Sequence, residues 1–483
     1  MSNPAQSAAS RCRGPPEARP TGFGRGPNVF STQLSNGTQA VDGICRSRTL
    51  RALPSTAGPD HPMNLEESTM EQRSFGRRTL FAGAAALGLF APLLANSPKA
   101  MAAGSTWSPD HGWSFIPSLS DDFTAPASSD RWNRGLWYPK SGAGTFTDGN
   151  VAFEDGLLKL HATVGEDGGP TYRFGAVESY FDLPGVCSYV EVRAKVLDRR
   201  ANVLSAIWQQ SSNYDHVDEL LKGADPHPEV DVEETFSFDS MVMANHTWGA
   251  DGHVAFGGNY FPTGQADLSQ EFHTYGIERR DGRLRFYFDR KLAWDLAAPH
   301  PSLVRMSRHQ VLSLEGHLGQ PNPEFLPASY DIDYVHSYYY TGAHRAPSQH
   351  CQLVNAASGL ALTIDGASGM RLRKPNGRPG QAWLVQETDD FTYTIEHPKS
   401  QTMLVLENGN GQVGVPVVVE PAKSTGPDDG SSRRRWHVLP AGEDSFHILS
   451  KFSGLAMDAG DGALLQQEQN AGDSQRWLLQ PIR

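Results

Sequence analysis

Near its middle the chain reads Pro228-Glu229-Val230-Asp231-Val232-Glu233-Glu234-Thr235-Phe236. Valines alternate with acidic residues, and this period of two predicts a β-strand with Glu229 and Asp231 on one face and the valines on the other. Carboxylates on one face repel each other, which costs stability and raises the pKa of at least one of them. A structural strand gains nothing from that repulsion, whereas an acid catalyst needs a raised pKa. The stretch therefore predicts a catalytic strand in a β-protein.

Two positions compete to supply the carboxyl that would pair with Glu229. Unbulged alternation puts Glu233 in the cleft and drives Glu234 into the valine layer, where burying a charge is costly. A one-residue bulge at Glu233 instead returns Glu234 to the catalytic face, and we favour that arrangement. Four residues of strand span about 13 Å between Cα atoms. Side chains that lean together reduce the gap between the two carboxyls to roughly 5–5.5 Å, the separation at which one carboxyl acts as a nucleophile and the other as an acid.

The region around this strand, residues 105–341, repeats one pattern of short alternating strands broken by Gly, Pro and Asp turns. Amphipathic helical periodicity is nearly absent from it. Many strands in one unit of this length predict a two-sheet β-sandwich, whose concave face can hold an extended polymer.

The acidic stretch also resembles the Glu-x-Asp-x-x-Glu signature of glycoside hydrolase family 16, and the resemblance covers about residues 107–340. It extends to the segments Leu119-Ser120-Asp121-Asp122-Phe123, Ser205-Ala206-Ile207-Trp208, Asn245-His246-Thr247-Trp248 and Ile332-Asp333-Tyr334-Val335. The resemblance implies a β-jelly-roll in which Glu229 is the nucleophile, Asp231 a hydrogen-bonding helper and Glu234 the acid/base. The family's bulge residue is normally apolar, so Glu233 is a departure that keeps the choice between Glu233 and Glu234 open.

Substrate contacts are expected from aromatic and polar residues near the catalytic strand. The candidates are Trp137, Trp208, His246, Trp248 and Glu315. The segment Leu312-Ser313-Leu314-Glu315 resembles one that agarases and porphyranases carry, and Ser205-Ala206-Ile207-Trp208 lacks the Trp-Pro-Ala approach of laminarinases. These likenesses imply an agar- or porphyran-type β-galactan as the substrate, with a β-1,3-glucan as the alternative. Endo-cleavage is the expected mode, although the sequence leaves exo against endo preference open.

Residues 349–483 repeat one unit three times. Ser358-Gly359-Leu360-Ala361-Leu362 returns as Ser453-Gly454-Leu455-Ala456-Met457, with a weaker copy from Thr402, and each copy leads to a tryptophan. The three Gln-x-Trp-like elements are Gln381-Ala382-Trp383, Arg434-Arg435-Trp436 and Gln475-Arg476-Trp477. This pattern predicts a threefold repeat that folds as a self-contained unit.

The repeat resembles the ricin-type β-trefoil lectins. By that resemblance, Asp365 with Gln381 and Asp458 with Gln475 bind sugar, whereas the tryptophans pack the core. Turn-capping is the alternative role for the four polar residues.

The N-terminal 102 residues contain no predicted domain. Residues 1–69, rich in proline and arginine, are interpreted as disordered or as an extension from a mistaken start codon. In residues 70–102, Arg77-Arg78 precedes an apolar run that ends at Ala100-Met101-Ala102, the layout of a twin-arginine-type signal peptide. We therefore expect a secreted or periplasmic protein that is free of the membrane after cleavage.

Charge and cysteine content exclude several classes of protein. A net charge of −12 argues against nucleic acid as a partner. Cys187 and Cys351 are the cysteines of the mature chain, and their spacing is not that of a metal site. The sequence leaves open whether a disulfide joins them. No cofactor motif is present and no metal is expected, although the sequence does not settle whether a structural Ca²⁺ binds. The expected partner is a polysaccharide, and the expected state is a monomer.

A non-catalytic carbohydrate-binding protein is the competing functional class. In that case both domains would bind sugar like lectins, and the cleft of the first domain would have lost its catalytic function. The intact Glu-x-Asp-x-x-Glu pattern favours the enzyme, because decay would be expected to strike those carboxylates first.

Overall fold

A computed structural model of the chain describes residues 108, 110–165, 171–211, 227–249, 252–342, 345–366, 369–407, 411–422, 431–460 and 462–482. The predicted disordered segment 1–69 and signal peptide 70–102 lie outside these residues. Residues 97–483 belong to one compact unit. None of the helices among the described residues has the length and hydropathy needed to cross a bilayer.

The first part of the described chain is built from strands that follow the alternation in the sequence. In β6, for example, Leu158, Leu160 and Ala162 are buried and the residues between them are half-buried. The strands are β1 (Trp113–Phe115), β2 (Trp132–Arg134), β3 (Lys140–Ser141), β4 (Gly144–Phe146), β5 (Val151–Glu154), β6 (Leu157–Val164), β7 (Tyr172–Phe174), β8 (Ala176–Ser179), β9 (Ser188–Lys195), β10 (Leu204–Ser211), β11 (His227–Glu234), β12 (Ser240–Gly249), β13 (Gly252–Pro262), β14 (His273–Arg280), β15 (Arg283–Phe288), β16 (Lys291–Ala297), β17 (Arg308–Glu315) and β18 (Ala328–Tyr340).

These strands form two sheets with one apolar core between them. The first sheet has eleven strands, in the order β16-β15-β14-β9-β18-β6-β7-β4-β3 with β1 beside β18 and β5 beside β6. The second has seven strands, in the order β13-β12-β11-β10-β17-β8-β2. Val190 and Val192 of the first sheet and Val230 and Val232 of the second belong to the same core. The predicted jelly-roll sandwich is confirmed, and β11 lies near the middle of the seven-stranded sheet.

The second part is an antiparallel β-structure with a threefold pattern. Its strands are β19 (Gln349–Asn355), β20 (Ala361–Asp365), β21 (Gly369–Arg373), β22 (Trp383–Glu387), β23 (Tyr393–His397), β24 (Thr402–Leu406), β25 (Val417–Pro421), β26 (Trp436–Pro440), β27 (Phe446–Ser450), β28 (Ala456–Asp458), β29 (Leu465–Gln467) and β30 (Arg476–Pro481). Trp383, Trp436 and Trp477 are fully buried, and each indole N–H donates to a backbone carbonyl, of Leu362, Leu404 and Met457 respectively. The predicted β-trefoil is therefore confirmed, with its tryptophans in the core.

Helices are short and of the 3₁₀ type wherever the structure describes the chain. They serve as turns between strands, and five of them begin at a proline, whose fixed φ suits the first helical position. The helices are Pro117–Leu119, Pro126–Arg131, Asp148–Asn150, Arg199–Ala201, Pro301–Val304, Pro323–Phe325, Pro379–Gln381, Ser431–Arg434 and Asp473–Gln475.

Buried contacts join the sandwich to the trefoil. The Tyr339 hydroxyl is hydrogen-bonded to Nδ1 of His437 at 2.9 Å, and the two rings are stacked. The Ser307 N–H donates to the Phe452 carbonyl at 3.0 Å. The trefoil is therefore attached through side chains and backbone as well as through the linker. Cys187 and Cys351 are both free thiols, so no disulfide adds to these contacts.

Candidate active site

The predicted catalytic strand β11 has its polar face on the outside of the seven-stranded sheet. Gln210 of β10 and His246 of β12 lie directly opposite Glu229, one on each side. Ala206 lies opposite Glu234, and Ala244 lies opposite Asp231. Glu229 and Glu234 are half-buried and Asp231 is almost fully buried, so two of the three carboxyls on this face are partly open to solvent.

A bulge interrupts β11 between its first and last carboxylates. Trp208 of β10 lies opposite Asp231, whereas the preceding Ile207 lies opposite Glu233, so the extra residue is Val232. The bulge thus falls one residue before the predicted position. It has the predicted consequence, because Glu234 returns to the face that carries Glu229 and Asp231.

Glu233 points into the core of the sandwich and is fully buried. Its Oε2 accepts the Val242 N–H at 3.0 Å, whereas Oε1 is buried without a hydrogen-bond partner. Burial raises the pKa of Glu233 well above its usual value, and the charge of Glu233 in turn raises the pKa of Tyr275 and Tyr330 in the opposite sheet. Glu233 is therefore a core residue that lies on the other face of β11 from Glu229 and Glu234.

Two side chains donate hydrogen bonds to the same oxygen of Glu229. The Trp248 indole N–H reaches Oε2 at 2.8 Å, and the Gln210 amide reaches it at 3.0 Å. Burial and the nearby charge of Asp231 raise the pKa of Glu229, and these two hydrogen bonds lower it. Donors fixed on a carboxylate favour its ionised form and orient its free oxygen, as a nucleophile requires.

Asp231 is almost fully buried beneath the cleft surface. Its Oδ2 lies 3.2 Å from Nε2 of His246. Burial raises the pKa of Asp231, and the charge of Glu315 raises it further. Asp231 is thus able to share a proton or a charge with the groups on either side of it.

Glu234 differs from Glu229 in its hydrogen bonds. Among the described residues no donor reaches its side chain. Burial raises its pKa most, followed by the charges of Asp231 and Glu229. The charge of His246 lowers this pKa. Glu234 is therefore a desolvated carboxyl without a hydrogen-bond donor among the described residues, whereas Glu229 accepts hydrogen bonds from two side chains.

Glu315 is a fourth carboxyl near this group. It is buried at the end of β17, and its Oε1 accepts the Tyr138 hydroxyl at 3.0 Å. Burial raises the pKa of Tyr138 above its usual range, with Glu315, Glu229 and Asp231 adding to the effect. Glu315, predicted as a substrate contact, therefore lies close to Glu229 and Asp231 and accepts a hydrogen bond from the phenol of Tyr138.

The aromatic candidates differ in how much of each ring is open. Trp208 is only 7% exposed, packs against Trp137 at 5.6 Å between ring centroids, and donates to the Ser313 hydroxyl. It therefore cannot offer a face for stacking on a sugar, which corrects that expectation. Trp137 is half-buried above it, and one face of the half-buried Trp248 is covered by His253 at 4.2 Å.

Metal-ligating atoms also meet at this site. One atom each from Glu229, Asp231 and His246 lies within 4.8 Å of the other two. The same residues also contact one another or their neighbours: Glu229 accepts from Trp248 and Gln210, and Asp231 faces His246.

In the trefoil, the third repeat forms a pocket of about 330 Å³ lined by Asp458, Glu468 and Asn470 among others. Gln475 is fully buried and donates to Asp458 Oδ2 at 3.0 Å and to the Glu468 carbonyl at 2.8 Å. Its own oxygen accepts the Asn470 N–H. The expected sugar contact at Gln475 is thus replaced by a supporting one, because Gln475 holds Asp458 at the pocket.

The first repeat places its predicted pair differently. Gln381 is buried, and its amide is used internally, donating to Thr363 and the Lys374 carbonyl and accepting from Gln352 and Asn376. These contacts give Gln381 a supporting role within the first repeat.

Asp365 of the first repeat is engaged by Arg371 and Arg373, each at 2.9 Å. A sugar hydroxyl at Asp365 would have to compete with these two guanidinium groups.

Three further residues border the site and were absent from the sequence prediction. Gln210 follows Trp208 by two positions, so strand alternation alone places it on the face of the sheet that carries Glu229 and Asp231. Tyr138 lies in a loop, and His253 reaches the site only through the pairing of β12 with β13. Neither of these two has a local signal in the sequence.

Comparison with known proteins bears on both domains. The family model described as ricin-type beta-trefoil lectin domain-like matches residues 339–420. No curated protein matches the sequence. The match to the ricin-type family model runs from the end of β18 to β25 and so covers the first part of the trefoil.

Solved structures that resemble the chain include the GlcNAcα1-4Gal-releasing endo-β-galactosidase from Clostridium perfringens, at 18% identity over 79% of this chain and 100% of that chain, with a TM-score of 0.38. Porphyranase B from Zobellia galactanivorans is 17% identical over 49% of this chain and 96% of its own, with a TM-score of 0.40. β-Agarase A from the same organism is 15% identical over 50% of this chain and 97% of its own, with a TM-score of 0.41.

Proposed function

We propose that the chain is a secreted retaining endo-glycoside hydrolase that cleaves a β-linked polysaccharide and is held on that polysaccharide by its trefoil. The observation that carries the proposal is the contrast between two half-buried glutamates on one face of β11. Glu229 accepts hydrogen bonds from Trp248 and Gln210. Glu234 is desolvated, and none of the described residues donates a hydrogen bond to its side chain.

In the proposed reaction Glu229 attacks the anomeric carbon while Glu234 protonates the departing glycosidic oxygen. A covalent glycosyl-enzyme forms, and Glu234, now ionised, takes a proton from the water that displaces Glu229. Asp231 lies between Glu229 and Glu234 in the sequence, and its carboxyl faces His246. In this position it buffers the charge that moves from one glutamate to the other. Each step needs only this chain's carboxyl groups and water.

An agar- or porphyran-type β-galactan is the proposed substrate, and a β-1,3-glucan is the second candidate. Reducing-sugar release from agarose, porphyran, carrageenan, laminarin and lichenan decides between them. Activity on laminarin alone would favour the glucan. Binding without release of reducing ends from any of the five would favour a non-catalytic carbohydrate-binding protein.

Azide rescue tests which glutamate is the acid/base. Glu234→Ala should still form the glycosyl-enzyme from a nitrophenyl glycoside, whose leaving group needs little protonation, and azide should restore turnover as a β-glycosyl azide. Glu233→Ala is the matched control, because Glu233 is buried in the core. Rescue confined to Glu233→Ala would transfer the role to Glu233 and refute the assignment of Glu234.

The trefoil is proposed to bind a sugar through Asp458 in the third-repeat pocket. Asp458 lines this pocket, and its carboxylate is held there by the Gln475 amide and the Gly460 N–H. The first repeat is a weaker candidate because Asp365 is paired with two arginines.

A further inference from the structure

His253 on β13 contacts two residues of the candidate active site at once. It lies opposite Trp248 in the β12–β13 pair, and its ring stacks on the indole with 4.2 Å between centroids and an interplanar angle of 27°. Its Nε2 is hydrogen-bonded to Nδ1 of His246 at 2.9 Å. The exposed imidazole of His253 therefore contacts Trp248 with its ring face and His246 with its ring nitrogen.

The two residues that His253 contacts are those that face the carboxylates. Trp248 donates to Glu229, and Nε2 of His246 faces Asp231 Oδ2. Two lines of contact thus start from His253 and end on the two carboxyls.

We propose that His253 is a positioning residue, which holds the indole of Trp248 and the imidazole of His246 in the orientations that Glu229 and Asp231 need. This inference rests on the proposed hydrolase function of the same site.

The hydrogen-bond pattern also assigns the proton on each imidazole. With Asp231 ionised, the proton of His246 belongs on Nε2, which faces the carboxylate, so Nδ1 must accept. His253 then donates from its own Nε2. Burial and the charge of His246 lower the pKa of His253, which is consistent with a neutral ring in this role.

Burial does not explain this arrangement. His253 is exposed, and so is its neighbour Val254, whose side chain points to the other face of β13 and is 42% exposed. An exposed side chain loses rotamer freedom when it is held in two contacts. The stack and the hydrogen bond must offset that loss.

The test separates the two contacts of His253. His253→Phe keeps a ring on Trp248 and removes the donor to His246, whereas His253→Gln keeps an N–H donor and removes the ring. His253→Ala removes both, and Val254→Ala is the control on the same strand. For His253→Ala we expect kcat to fall about tenfold, the effect of one lost hydrogen bond, with KM changed less than about twofold. Gln and Phe should each recover part of kcat, and Val254→Ala should match the parent.

A raised KM with parent kcat would make His253 a substrate contact and overturn the inference, as would parent kinetics in His253→Ala. A loss of kcat in Val254→Ala as large as in His253→Ala would show a general defect of β13 and would also overturn it.

Nitrogen-15 NMR of the His246 ring gives a readout that is independent of activity. The parent should show the Nε2–H form, and His253→Ala a mixture of the two tautomers. If the parent hydrolyses no polysaccharide, the proposed function fails, and the tautomer still decides whether His253 orients His246.

Discussion

Replacing Trp248 with phenylalanine should move the acid limb of the pH–rate profile. The indole N–H donates to Glu229 Oε2 at 2.8 Å, so it stabilises the ionised form of that glutamate. A hydrogen bond to a charged group contributes about 1.5–3 kcal/mol, and one pKa unit corresponds to about 1.36 kcal/mol. Its loss should therefore raise the pKa of Glu229 by roughly one to two units. Phenylalanine keeps a ring that can stack on His253.

The sign of the effect follows from the role of the group. The nucleophile must be ionised, so kcat/KM rises with pH as Glu229 loses its proton. A higher pKa shifts this limb to higher pH. Well below the limb, kcat/KM of Trp248→Phe should be lower than that of the parent by about 10- to 100-fold, one factor of ten for each pKa unit. At the plateau the gap should be much smaller.

The assay is kcat/KM against pH on a substrate that the parent cleaves. Gln210→Leu removes the second donor to the same oxygen and should shift the limb in the same direction. Trp294→Phe, in β16 of the other sheet, controls for the loss of an indole elsewhere. An acid limb that stays in place or moves to lower pH in Trp248→Phe would refute the reasoning.

Three further outcomes are expected. A chain ending near Thr341 loses three buried hydrogen bonds to the trefoil, one from the Tyr339 hydroxyl and two from the N–H and hydroxyl of Ser307. At about 1 kcal/mol each, its urea midpoint should correspond to ~3 kcal/mol less stability than in the full chain; an unchanged midpoint would show that the trefoil contributes nothing to the sandwich. Asp458→Ala should reduce retention on insoluble polysaccharide much more than Asp365→Ala, and equal losses would contradict a single dominant sugar site. Replacing Arg77 and Arg78 with lysine should leave precursor inside the cell, and normal export of that variant would eliminate the twin-arginine signal.

Much of the fold follows from periodicity. Alternating strands predict the sandwich, the threefold repeat predicts the trefoil, and both are present. The carboxylate positions follow from the same alternation once a bulge is allowed. Its location at Val232 does not, because a bulge depends on how β10 and β11 pair across the sheet.

The remaining differences are of the same long-range kind. A buried glutamine such as Gln381 and a sugar-binding one look alike in the sequence, since only the packed repeat shows that every amide atom is already bonded. Trp208 is covered by the loop that carries Trp137, some 70 residues earlier in the chain. The interdomain contact between Tyr339 and His437 likewise joins residues 98 positions apart.

The central claim is the pairing of Glu229 as nucleophile with Glu234 as acid/base, and the configuration of the first product tests it most directly. Proton NMR during the first turnovers on a β-linked oligosaccharide resolves the α- and β-anomers before they interconvert. Two successive displacements at the same carbon should give the β-anomer first. An α-anomer as the first product would mean a single displacement by water, and it would contradict the assignment of Glu229 as a nucleophile.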